Sequence, residues 1–110
     1  MSLCLCKELK TLKVEADMGA NPLWCHECCA NLDVDEFTLL EALKGELLQW
    51  GETYGTWIDW ETDGVVSGGV AMDEAHNARG AKLTEQVRNE LMQYDVVFSP
   101  STFAKRHSEV

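Results

Sequence analysis

Leu40, Leu43, Leu47, Trp50, Tyr54 and Trp57 recur at alternating steps of three and four residues, and no other feature restricts the fold as strongly. That rhythm is the period of a helix with one apolar stripe, and the stripe requires a core to lie on. Glu41, Lys44, Glu46, Gln49, Glu52 and Thr53 fall largely away from it. Thr38 and Glu41 fit a capping box, in which the hydroxyl takes an N–H three residues on and the carboxylate reaches back. The spacing predicts a helix over about 38–55, with Gly55 as its stop. Gly45 and Gly51 each weaken this helix by up to ~1 kcal/mol relative to alanine, so packing must hold it.

A second stripe, Met72, His76, Gly80, Leu83, Val87 and Leu91, predicts a helix over about 72–93. Gly80 on that stripe implies close approach of another element. Residues 11–16 alternate weakly, with Leu12, Val14 and Ala16 against Lys13 and Glu15, and residues 95–99 are short and β-branched. Both read as strands. Residues 17–22 read as a turn, 23–36 as a cysteine-bearing loop, and Gly64, Gly68 and Gly69 mark a loop between the helices. The expected architecture is α+β: two amphipathic helices resting on a small sheet. Two strands alone are marginal, so residues 2–8 add a strand or an edge pairs with a second copy as a homodimer. At 110 residues the chain fits one domain, with 101–110 as a frayed tail.

The charge is unevenly placed. Residues 31–74 hold eleven acids and one base, Lys44, which accounts for the whole net charge of −10. Such acidity argues against binding a phosphate backbone. No apolar run reaches the ~18 residues of a membrane helix, and the first ten residues lack a secretory signal's apolar region. A cytoplasmic location is expected. The acidic stretch is read either as a solvated surface or as a face that steers a basic partner.

Pro22-Leu23-Trp24, then Asn31-Leu32-Asp33, then a Leu-rich helix carrying Trp50 and Tyr54 resembles a set of short uncharacterised bacterial proteins. The resemblance covers roughly residues 12–98. It implies a bacterial cytoplasmic origin and carries no activity, substrate or ligand.

Five cysteines fall in two groups, Cys4 and Cys6, then Cys25, Cys28 and Cys29, with His26 between. Cys25-x-x-Cys28 has zinc-knuckle spacing, and Cys4 with Cys6 would complete a tetrahedral set. The alternatives are disulfide or redox chemistry and buried or idle thiols. The loop from Asp59 to Gly64 mimics the start of a calcium loop, but Val70 stands where the bidentate glutamate belongs, and Trp60 suits an anchoring role better. His76, with Asp73 one turn before it, reads as a core-edge histidine rather than a catalytic base. No nucleophile elbow, phosphate loop or zinc-protease motif is present, and no enzyme is expected.

The leading expectation is a protein-interaction module, inhibitor- or immunity-like, binding a basic protein partner. Its expected contact residues are Glu46, Glu52, Asp59, Trp60, Glu61 and Asp63. The alternative is an accessory domain with one structural zinc on Cys4, Cys6, Cys25 and Cys28.

Overall fold

Leu12 and Val14 are fully buried while Thr11 and Lys13 are half-buried, the two-residue period of a strand with one face on a core. This strand, β1 (Thr11–Val14), belongs to a computed structural model that describes residues 9–17, 19–59, 61–62 and 64–101. The chain continues through β2 (Leu23–Cys25), β3 (Asn31–Leu32), a 3-10 turn (Val34–Glu36), α1 (Glu41–Glu52), β4 (Ile58–Asp59), β5 (Gly64–Val65), α2 (Gly69–Glu90) and β6 (Asp95–Phe98). Two helices against a small mixed sheet make an α+β fold, as the periodicities predict.

The main sheet has the order β3-β2-β1-β6. β1 pairs antiparallel with β2, opposing Leu12 to Cys25 and Val14 to Leu23. It pairs in parallel with β6, opposing Leu12 to Val96. Two of its four strands come from the segment read as a cysteine loop. Strands of two and three residues are too short to display a period, which is why the sequence conceals them. Residues 2–8, the other expected source of a strand, lie outside the described residues, as does all of the expected tail over 101–110 but Ser101, whose backbone N–H and C=O both bond the Asn77 side chain.

Side chains brace these short strands. Asn31 Nδ2 donates to Asn21 O at 2.8 Å and to Leu23 O at 3.2 Å, while its Oδ1 accepts from Asn21 N at 3.1 Å. Asn21 Oδ1 accepts from Val34 N at 3.2 Å. Trp24 Nε1 donates to Glu15 O at 2.9 Å. Asp33 caps the 3-10 turn, taking Asp35 N, and Glu36 reaches back to Asp33 N at 3.1 Å. Trp24, Asn31 and Asp33 therefore shape the sheet and its exit.

The capping box lies at Asp33 and Glu36, five residues before the expected one. α1 starts at Glu41 behind Leu40, with no side chain of its own segment capping it. Glu90, at the end of α2, accepts from Leu40 N at 2.8 Å instead. The helix ends at Glu52, short of Gly55, and the apolar rhythm continues to Trp57 through non-helical backbone. α2 begins three residues earlier than expected. Gly68 precedes it at φ +77°, and Gly69 fits against Trp57 and Val65, where a Cβ would collide with the Val65 side chain.

Both stripes face inward except at their starts, where Leu40 is 68% and Met72 40% exposed. Leu43, Leu47 and Trp50 of α1 and Leu83 and Val87 of α2 pack with Leu12, Val14, Leu23, Leu32 and Val96 of the sheet. A Cβ on Gly80 would stand 2.6 Å from ring atoms of both Trp50 and Phe98, so the expected close approach is present. Trp57 and Ile58 form a second cluster with Tyr54, Val65, Val66 and Val70. Among the described residues no helix is long and apolar enough to cross a membrane.

Candidate functional site

The outer surface of α1 is acidic by construction. Burying Leu43, Leu47 and Trp50 turns the intervening residues outward, and Glu41, Gly45, Leu48 and Glu52 fall on one exposed line at helical spacing. Glu46 is exposed beside that line, and Asp33, Asp35 and Glu36 are exposed on the approach to the helix. Lys44 lies 3.3 Å from Glu41 and 3.5 Å from Asp35. Desolvation works against its charge, yet bonding and attraction from Glu41 and Asp35 outweigh it and raise its pKa above the ordinary 10.5. The single base of the acidic stretch is thus engaged internally.

Leu48 is 40% exposed on this acidic line, and Leu40 is 68% exposed at its start. A depression of about 280 Å³ runs beside Leu48, Gly51 and Glu52, closed on its far side by residues 19–21. Exposed apolar area and negative charge therefore share one surface of α1.

The loop residues expected at the site behave differently. Asp59 is half-buried in β4, which pairs with β5 as a hairpin, and its carboxylate accepts from Glu61 N at 3.1 Å. Glu61 is exposed. Trp60 and Asp63 lie outside the described residues. The two ends of the calcium-like stretch, Asp59 and Gly64, are therefore paired across a β-hairpin.

Of the expected zinc ligands, Cys25 is buried in the core on β2 and Cys28 is exposed in the turn that follows. Cys4 and Cys6 lie outside the described residues. Cys29, also exposed, takes the left-handed conformation at φ +62°, and its N–H closes the turn onto Cys25 O at 2.9 Å. Among the described residues no three His, Cys, Asp or Glu side chains are grouped to hold a metal.

His76 sits at the contact of the helices. Its ring stacks on Trp50 at 4.5 Å between centroids, and its Nε2 meets Trp50 O at 2.9 Å. An oxygen acceptor there fixes the proton on Nε2, leaving Nδ1 with a lone pair in the neutral ring. Burial pulls the imidazole pKa below 6.5, against the opposing pull of the Trp50 carbonyl and Asp73. This is a packed core-edge histidine, as its place on the stripe predicts.

Residues 10–101 match a family model described as Serratia CdiI immunity protein-like. No curated protein matches the chain.

Proposed function

Because this chain belongs to the Serratia CdiI immunity protein-like family, a bacterial family of immunity proteins that bind a toxin partner, we propose that its acidic α1 surface is the toxin-binding face and that the toxin presents a basic surface to it. The observation that carries this reading is the coincidence of charge and exposed apolar area. Residues 31–74 contain the entire net charge of −10, and Leu48 is exposed among their carboxylates. Opposed charge across an interface chiefly accelerates encounter, whereas a desolvated apolar contact slows dissociation. Glu46 and Glu52 supply the first effect and Leu48 the second. We propose Asp59 and the exposed Glu61 as further contacts, together with Trp60 and Asp63, which lie outside the described residues.

The test uses the toxin captured by the wild-type chain from its host, then purified for kinetics. Reversing Glu46 and Glu52 to lysine slows association about tenfold or more at low salt, and added salt erases the difference. Leu48→Ser accelerates dissociation. Both variants keep the wild-type melting temperature, since all three side chains are exposed. Salt-independent association, unchanged by the double reversal, would place the interface elsewhere.

A further inference from the structure

The depression of about 280 Å³ beside Leu48, Gly51 and Glu52 has two firm walls. One is α1. The other is the turn of residues 19–21, where Gly19 bends the chain at φ +70° and Asn21 is tied at three atoms. Its N–H donates to Asn31 Oδ1 at 3.1 Å, its carbonyl accepts from Asn31 Nδ2 at 2.8 Å, and its Oδ1 accepts from Val34 N at 3.2 Å. A recess held this way receives a side chain without first having to be ordered.

Gly51 lines the recess. Glycine is among the least favourable residues inside a helix. Close packing accounts for Gly69 and Gly80, but it does not account for Gly51: a Cβ built there meets no described atom within 4 Å, and its φ is not positive. The fold makes no use of a glycine at this position. Its missing side chain leaves the recess unfilled beside Leu48.

Glu52 is the last residue of α1, and the last turn of that helix holds no base. A helix C-terminus carries partial negative charge, which favours a cation and disfavours a carboxylate. Glu41 and Asp35 share Lys44, whereas Glu52 has no ion-pair partner among the described residues. The carboxylate and the helix end both favour positive charge at one place.

The open recess, the unexplained glycine and the unpaired acid select one chemistry. A compact cation would leave Leu48 uncovered, and an aliphatic side chain would leave Glu52 unpaired. A long cationic side chain does both, laying its methylene stem along apolar surface with its charged head beyond. A guanidinium matches both oxygens of a carboxylate and is more weakly hydrated than an ammonium. We propose that this recess receives an arginine side chain of the toxin, its stem on Leu48 and across Gly51, its guanidinium paired with Glu52. The proposal rests on the toxin-binding reading for its partner and names the residue that the partner must supply.

The recess is tested first without toxin, using N-acetyl-arginine amide and its uncharged analogue N-acetyl-citrulline amide. In nitrogen–proton spectra the arginine compound shifts the Gly51 and Glu52 amide signals saturably, and the citrulline compound does not. Gly51→Leu abolishes the shifts while the melting temperature holds or rises, since leucine favours the helix and has open space there. No saturable shift, or equal shifts from citrulline, would overturn the site.

With captured toxin, Gly51→Leu weakens binding about tenfold or more. One toxin arginine, changed to alanine, weakens binding to the wild-type chain by a similar factor and has no further effect on Glu52→Gln, the coupling expected of a contacting pair. Wild-type affinity in Gly51→Leu, or coupling of Glu52 to a lysine instead, would overturn the arginine site even where reversal of Glu46 and Glu52 still slows association. Association that is salt-independent and unchanged by that reversal would instead remove the acidic face as the interface.

Discussion

Trp50 and His76 hold each other twice over: Trp50 Nε1 donates to His76 O at 2.8 Å, and His76 Nε2 donates to Trp50 O at 2.9 Å. Their rings lie nearly parallel, 11° apart, between these two bonds. The pair links α1 to α2 by side-chain-to-backbone bonds in both directions, so neither helix can rotate about its axis without breaking one. That registry sets which residues of α1 point outward, and hence the composition of the acidic face.

The imidazole makes the registry pH-sensitive. Burial holds the folded pKa of His76 below its ordinary value of about 6.5, so the unfolded chain binds the proton more readily. Stability from this group is therefore complete above pH 6.5, falls as pH drops through that value, and levels off below the folded pKa. Urea midpoints at pH 7.5 and 5.5 check this. The wild type loses more stability between them than His76→Gln does, and an equal loss would show that His76 does not govern the change.

Leu47 is fully buried and Leu83 is 3% exposed, on facing stripes of the two helices. Truncating either to alanine is expected to cost roughly 2–5 kcal/mol in denaturant unfolding. A cost under ~0.5 kcal/mol would be that of a surface residue.

Gly80→Ala, a favourable change in most helices, is expected to destabilise this one. The new methyl would meet the rings of Trp50 and Phe98 at 2.6 Å, and overpacking of that kind costs about 1–3 kcal/mol. Gly45→Ala has open space around it and a gain of up to about 1 kcal/mol from helix propensity. Measured together, the two substitutions should shift the melting temperature in opposite directions.

The cysteines differ in access. Cys25 is 1% exposed, whereas Cys28 and Cys29 are exposed. Brief labelling of the native protein with a thiol reagent modifies Cys28 and Cys29 and spares Cys25, as mass spectrometry of peptides can resolve. If zinc occupies Cys4, Cys6, Cys25 and Cys28, Cys28 is spared as well until a chelator releases it, and the melting temperature falls on chelation.

What the sequence disclosed was what repeats. Leu43, Leu47 and Trp50, and His76, Gly80, Leu83 and Val87, revealed both helices and their inward faces, because a buried stripe imprints its period on the chain, whereas Leu40 and Met72 at the stripes' starts are exposed. β2 and β3 escaped because two or three residues cannot carry a period. The Thr38 cap failed for a related reason. The group that satisfies Leu40 N is Glu90, fifty residues away, and no local pattern reports a partner at that distance. The acidic face was legible from charge alone. The buried His76 Nδ1 and Trp57 Nε1, which have no hydrogen-bond partner, were not, since only packing reveals which polar group goes unmatched.

The parallel pairing of β1 with β6 has a consequence for the order of events during synthesis. Thr11 leaves the ribosome long before Asp95, the residue it must stand beside. At ~5–20 residues per second, the growing chain spends on the order of 4–17 seconds with that flank of β1 open. Premature termination after α2 would leave that flank open permanently, in a product that already carries every carboxylate of the acidic face. The native state would then depend on β6, made last of the described strands, as much as on the helices that precede it.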